Sequence, residues 1–378
     1  MYIIIFIFIL AVLVFVHELG HFLAAKISGI RVDEFAIGFP PRIVGWKRGE
    51  TDYSLNWIPF GGYVKIFGEN YQDEDEMNAP EAASDKSRSF AAKSKKIQAF
   101  VLIAGILFNI IFAWLLFSLG FMIGMPVAND YTGPGKVSNS AITVTLVEKD
   151  SPAEKAGLKL GDQIVAISSA TEIIQSPNID QVKNFIVYHK DVPITISVAS
   201  REAAPNGSVS STPIQIPVTP HIEVGKTSAT VGIGMEFLGR LKLSFFPALW
   251  QGALLTNSVV VATAVGIVQF LYTIVVGQAH VSDVTGPIGI AGLVGDATAL
   301  GFIYLLSFTA FISINLAIIN LIPFPALDGG RILFVIIEKI KGTPFNAKAV
   351  QIVNGVGLGL LLLLMVFVTY HDVVSLWK

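Results

Sequence analysis

The first segment of the chain limits what it can fold into more than any other. Residues 1–16 are almost wholly apolar, and the run continues past His17, Glu18 and His21 to Ile27. That length is enough to cross the hydrocarbon core of a bilayer, which takes roughly 20 apolar residues. An ionisable side chain at such depth costs about 2.5–3.5 kcal/mol on insertion scales, so these groups are rare there and mark function. Here three of them fall within five residues. A secretory signal would carry a basic start and a small-residue cleavage site. This run has no Lys or Arg before it and extends to Ile27, so it reads as a retained transmembrane helix.

The rest of the chain agrees with a lipid setting. Of 378 residues, 53% are hydrophobic and only 14% charged, against about 25% charged in an ordinary soluble domain. The net charge of −2 gives no argument for a nucleic-acid partner. Cysteine is absent, which excludes disulfides, thiolate metal sites and thiol nucleophiles. Any metal must be held by His, Asp or Glu.

Four stretches have the length and apolarity of spans: about 2–26, 98–123, 302–322 and 350–370. The first polar loop, 28–97, holds ten Lys and Arg residues, and basic residues near span ends favour the cytoplasmic side. The N-terminus is then outside, as is the region after the second span. Within the loop, Asp73–Ser89 is acidic and then Ser- and Lys-rich, and reads as mobile. The outer region, 128–244, has strand-like alternation at Ile142–Val147 and Ile194–Val198 and a short apolar strand at Ile164–Ile167. Asp180–Tyr188 is helix-like, and Pro205-Asn206-Gly207 signals a turn. A fifth apolar stretch, 245–277, is interrupted by Pro247, Gly252 and Gly266. Arg331, Lys339, Lys341 and Lys348 place the loop after the third span inside. A single crossing by 245–277 would break that parity, so the stretch is expected to be re-entrant, interfacial or a tight hairpin. The organisation is thus 1–127 and 301–378 as two parts of a membrane domain, 128–244 as an extracytoplasmic domain, and 245–300 as the segment between.

His17-Glu18-Leu19-Gly20-His21 places two imidazoles four residues apart on one helical face, close enough to share a metal. Zinc accepts neutral imidazole nitrogen, and a catalytic site keeps one position open for water. Glu18 then has the place of a general base on that water, whose pKa the metal lowers. Gly20 leaves room for a neighbouring backbone or for substrate. Two His leave the metal one protein ligand short. Asp328, in Asn320-Leu321-Ile322-Pro323-Phe324-Pro325-Ala326-Leu327-Asp328-Gly329-Gly330-Arg331, closes an apolar run that the prolines break. Its carboxylate either completes a His₂-carboxylate set or caps the helix that starts near Arg331.

These motifs resemble the site-2 protease family of intramembrane zinc metalloproteases, in its bacterial RseP-like branch with an extracytoplasmic PDZ domain. The resemblance rests on VHELGHFLAAK at 16–26, NLIPFPALDGGR at 320–331 and VEKDSPAEKAGLKLGDQIVAI at 147–167. It implies an α-helical polytopic membrane protein of about four transmembrane helices with an inserted β-rich PDZ-like domain. It further implies that His17, His21 and Asp328 bind Zn²⁺, that Glu18 activates water, and that Asn320 helps to position or polarise the substrate carbonyl. Asn56–Glu69, an aromatic and β-branched run around Gly61-Gly62, reads as a hairpin. By resemblance, Phe60, Gly61, Gly62, Tyr63 and Val64 receive substrate as an added strand, which would satisfy backbone groups freed when a substrate helix unwinds. The implied substrates are single-pass membrane proteins, such as anti-sigma factors or residual signal peptides, in the cell (inner) membrane. One PDZ-like segment is present, where some relatives carry two.

The competing reading is a membrane-anchored PDZ scaffold with a vestigial metal site; the intact His17, Glu18, His21 and Asp328 speak against it. A metal transporter would need ionisable residues spread through the spans, and outside the two motifs these hold few. His189, His221, His280 and His371 stand singly and read as surface or satisfied histidines. Ser282–Pro287 reads as a turn beside the membrane. Gly355, Gly357 and Gly359 read as small-residue helix packing.

Overall fold

A computed structural model of the chain describes residues 2–69, 86–199, 213–222, 228–278 and 285–376. Asp73–Asp85 of the acidic stretch, the turn at Pro205–Gly207, His280 and Ser282–Val284 lie outside the described residues. So does the side chain of Phe60. The chain divides into two compact units: residues 1–117, 252–295 and 308–378 form one, and 118–251 with 296–307 the other.

The first unit is helical around one small sheet. Helix α1 (Tyr2–Ile27) is followed by strands β1 (Val32–Arg48) and β2 (Thr51–Ile66) and by α2 (Lys95–Ile123). The turn between the strands is tied to the end of α1, because Glu50 pairs with Lys26 at 2.6 Å and with Arg88 at 2.7 Å. Burial alone would raise the Glu50 carboxyl, but the two cations outweigh it and hold the group below its ordinary value. Lys86–Arg88 form a 3₁₀ turn and Ser89 is buried, so these four residues are ordered where mobility was expected. A shared core of Ala24, Ala25, Ile30, Val32, Ile66, Val101, Leu102 and Val335 packs α1, the sheet and α2 together.

The sheet differs from the hairpin expected within 56–69. Phe35 pairs with both Tyr53 and Val64, and Ile37 with both Leu55 and Gly62. The first half of β1 therefore lies between two arms of β2, which flank it without pairing to each other. Two strong bends make this possible, at Pro40-Pro41 in β1 and at Gly61 in β2, whose φ is +130°. The sequence pattern pointed to extended backbone only over 56–69, whereas the strands are Val32–Arg48 and Thr51–Ile66; a central strand has two edges, and each arm takes one.

The remaining helices are α5 (Phe245–Val275), α6 (Pro287–Leu300), α7 (Phe302–Leu321), α8 (Asp328–Lys341) and α9 (Ala347–Leu376), with α3 and α4 in the second unit below. Among the described residues, five helices (α1, α2, α5, α7 and α9) are long and apolar enough to cross a membrane, where four were expected. The difference is α5, which runs unbroken for 31 residues, about 46 Å at the usual rise, and contains no hairpin. Pro247 falls in its first turn, where the missing N–H has no intrahelical partner to lose. An interior Gly costs only about 1 kcal/mol against Ala, too little for Gly252 or Gly266 to stop so long a helix. None of the residues in its most apolar window is buried, the condition of a helix covered by lipid.

The second unit carries a seven-stranded antiparallel sheet. Its strands are β3 (Met125–Ala128), β4 (Val137–Val147), β5 (Gln163–Ser168), β6 (Ile173–Gln175), β7 (Ile194–Ala199), β8 (Ile214–Val218) and β9 (Ile233–Leu241). The order is β3-β9-β4-β5-β7-β8, with β6 on β5. The strands expected at 142–147, 164–167 and 194–198 lie in β4, β5 and β7. Two helices, α3 (Pro152–Ala156) and α4 (Ile179–Tyr188), accompany the sheet. Val182, Phe185 and Ile186 of α4 join Ile142, Ile167 and Ile196 in its core. Ser151 caps α3 by accepting from Glu154 N–H, and Gly157 closes it at φ +89°. His189 is satisfied by the Phe185 carbonyl at 2.9 Å.

Candidate metal centre

His17 and His21 are both buried on one face of α1. Their Nε2 atoms lie 3.2 Å apart. Asp328, more than three hundred residues further along, brings Oδ2 to 3.0 Å from the first and 3.3 Å from the second. Asp328 is the first residue of α8. It does not cap that helix, whose N-cap position is Leu327 without a side-chain hydrogen bond. Of the two readings of this carboxylate, the geometry takes the one in which it meets the imidazoles.

The three atoms fit a metal by their spacing and by their protons. A tetrahedral ion with bonds of about 2.0–2.1 Å holds its donors about 3.3–3.4 Å apart, and the observed separations are 3.0–3.3 Å. No single proton can lie between two Nε2 atoms and a shared carboxylate oxygen. His21 Nδ1–H donates to the Val101 carbonyl at 2.9 Å, which leaves the Nε2 lone pair free for a ligand bond. His17 Nδ1 lies 3.3 Å from the side-chain amide of Asn109. Among the described residues, His17, His21 and Asp328 form the cluster whose donor atoms could share one ion.

These residues line a cavity of about 810 Å³ together with Glu18, Gly62, Tyr63, Val64, Ala326 and Arg331. Glu18 thus faces the space that the ligands face. The outer arm of β2 runs along the same wall, and a Cβ on Gly62 would meet the Ala36 carbonyl at 2.8 Å and Glu18 Cγ at 3.5 Å. Gly61 is not in the lining; a Cβ there would meet the Phe39 ring. Arg331 pairs with Glu69 at 2.6 Å, and that carboxylate holds the guanidinium above its ordinary value against the opposing effect of burial. Asn320 lies half-buried in the last turn of α7 and is not among the lining residues.

The loop that delivers Asp328 is shaped by contacts the sequence did not announce. Gly329 and Gly330 lie where added Cβ atoms would strike the carbonyls of Ile322 and Phe324, so the start of α8 folds directly onto the end of α7. Ala326 is left-handed at φ +74°, costly for any residue with a Cβ. Its N–H donates to Asn354 Oδ1 of α9 at 3.2 Å. One turn on, Gly357 admits Pro325, which would stand 2.5 Å from an added Cβ. Gly355 and Gly359 have nothing within 4 Å, so of the three glycines only Gly357 serves close packing. Exchange of Asn354 for leucine removes a hydrogen bond worth about 1 kcal/mol and is expected to weaken divalent-metal affinity by roughly fivefold. Adding Ala326→Gly, which relieves the left-handed cost, should recover part of the loss. Competitive chelator titration of the three variants checks this.

Asn109 is the residue that sequence reading missed. Its signal was present, an amide inside the apolar run Leu107-Phe108-Asn109-Ile110-Ile111, of the kind that rarely sits in a span without a role.

A helical chain with membrane-length helices and a buried His-His-Asp cluster beside a glutamate has the features of a metal-dependent hydrolase. Residues 5–364 match the model of peptidase family M50, and the chain belongs to that family of site-2 proteases. It is 33% identical over 363 residues to a protein of Clostridium acetobutylicum named as a candidate zinc metalloprotease, covering 96% of this chain and 94% of the relative. A similarly named protein of Clostridium perfringens is 35% identical over 375 residues, 99% of each chain. The zinc metalloprotease RasP of Oceanobacillus iheyensis is 29% identical, over 98% of each.

Proposed function

We propose that the chain is an intramembrane zinc endopeptidase that cleaves single-pass membrane proteins, such as anti-sigma factors or residual signal peptides, in the cell (inner) membrane. The observation that carries this reading is the meeting of His17, His21 and Asp328 beside Glu18 in one cavity. His17 Nε2, His21 Nε2 and the Asp328 carboxylate hold the zinc. When bound, zinc acidifies a water and polarises a carbonyl oxygen. Glu18 accepts the proton that the attacking water loses and returns it to the departing amine nitrogen, so that the C–N bond breaks with protons in balance. Asn320 enters on family resemblance alone, as the group that steadies the scissile carbonyl.

Substrate is read as adding to the outer arm of β2, over Gly62–Val64. This arm pairs with β1 on one side and borders the cavity on the other. A substrate helix must unwind before its peptide bonds can be attacked, and a strand edge offers partners for the backbone groups set free. The sheet of the second unit is read as the PDZ-like domain on the extracytoplasmic side, with the loop carrying β1 and β2 inside. Because α5 is unbroken, it is neither a hairpin nor a re-entrant turn, and this topology reads it as a helix lying along the membrane interface.

Purified protein in proteoliposomes with a single-span reporter tests the reading. One zinc per chain and a cut mapped by mass spectrometry within the reporter's apolar stretch are the expected results. Absence of zinc, or cuts confined to soluble segments, would sink it.

A further inference from the structure

The buried amide of Asn109 has an unexplained atom. Asn109 is fully buried, yet its side-chain oxygen has no hydrogen-bond partner among the described residues, while its nitrogen stands 3.3 Å from His17 Nδ1. Rotating the amide exchanges the two atoms, and the choice between them follows from the hydrogen-bond network. If the nitrogen donates to His17 Nδ1, the ring proton is forced onto Nε2, the atom that faces His21 and Asp328. If the oxygen accepts from Nδ1–H, Nε2 keeps its lone pair for those neighbours.

We propose that Asn109 is a positioning residue for the metal site, its side-chain oxygen accepting the Nδ1–H of His17 and aiming the Nε2 lone pair at the ion. The inference rests on the zinc reading above. It fits a wider pattern on α2, where Val101, Gly105 and Asn109 recur every four residues and so share one face. The Val101 carbonyl orients His21. At Gly105 the lack of a side chain admits the His21 ring, whose Nε2 would lie 2.3 Å from an added Cβ. Asn109 completes the stripe at His17. The turn that carries it is itself fixed, because Ser313 Oγ, also buried, donates to the Asn109 backbone carbonyl at 2.8 Å. Both imidazoles thus take their orientation from a single helix face.

The test is zinc affinity of the full chain in detergent, by competition with a chromophoric chelator, for wild type, Asn109→Leu and Asn109→Asp. Loss of a hydrogen-bond partner behind a ligating imidazole typically weakens metal binding roughly 10–100-fold, and that is the drop expected for leucine. Aspartate accepts but cannot donate, so it should bind within a few-fold of wild type or tighter. Should the leucine variant not fold, Asn109→Ala removes the same acceptor and carries the same expectation. Leucine or alanine at wild-type affinity overturns the proposal alone. Aspartate falling as far as leucine also overturns it, since the amide would then be acting as a donor. Wild type without zinc removes this proposal and the functional reading together.

Discussion

Exchange of Glu18 for glutamine is expected to leave zinc binding intact and to lower peptide-bond cleavage by roughly 10²–10⁴-fold, the usual contribution of a positioned proton carrier. Glu18 is not in the His17–His21–Asp328 cluster, so removing its charge does not remove a ligand. It shares the cavity with all three. Glutamine preserves volume and keeps the approach to Gly62, whose added Cβ would lie 3.5 Å from Glu18 Cγ. What glutamine cannot do is take a proton from water and release it to an amine. The check is a paired measurement, zinc stoichiometry and rate of reporter cleavage on the same preparation. Equal stoichiometry with a collapsed rate is the predicted outcome. Cleavage within several-fold of wild type would mean that another group carries the proton.

How far the site could be read in advance follows from which residues interact locally. His17, Glu18 and His21 sit within two helical turns, and their conflict with an apolar span is visible in the sequence. Asp328 was visible as a carboxylate ending an apolar run, but spacing could not choose between ligand and helix cap, because that choice depends on a contact across 311 residues. The sheet was half legible. Composition marked Asn56–Glu69 as a hairpin, but residues 56–66 belong to one bent strand, and only the pairing shows that β1 serves both arms of β2. In α5, interruptions that looked like breaks are absorbed by position, since a proline in a first turn loses nothing. Asn109 and Asn354 were obscured differently. Each is a single amide in an apolar helix, and its partner, a ring nitrogen or the N–H of Ala326, lies on another helix or loop.

Two glycines bring α1 and α2 together at the metal site, and substituting either should cost much of the zinc affinity. An added Cβ on Gly20 would lie 2.5 Å from the Ala104 carbonyl oxygen and 2.9 Å from Gly105 Cα. All its near neighbours are backbone, so no side chain can turn aside, and α1 and α2 must move apart. An added Cβ on Gly105 would lie 2.3 Å from His21 Nε2, the atom assigned to the metal. Overpacking of this kind costs about 1–3 kcal/mol, and each 1.4 kcal/mol is tenfold in an equilibrium constant. Gly20→Ala and Gly105→Ala are therefore expected to weaken zinc binding by roughly 10–100-fold, with cleavage falling in step. Gly266→Ala and Gly355→Ala are the controls. Both glycines are helical with nothing within 4 Å, so alanine should be neutral or slightly stabilising through its better helix propensity. The contrast separates close approach of two helices from a general intolerance of methyl groups in the membrane. If all four variants bound zinc alike, the two helices would have slack to give, and the positioning of His21 by α2 would have to be abandoned.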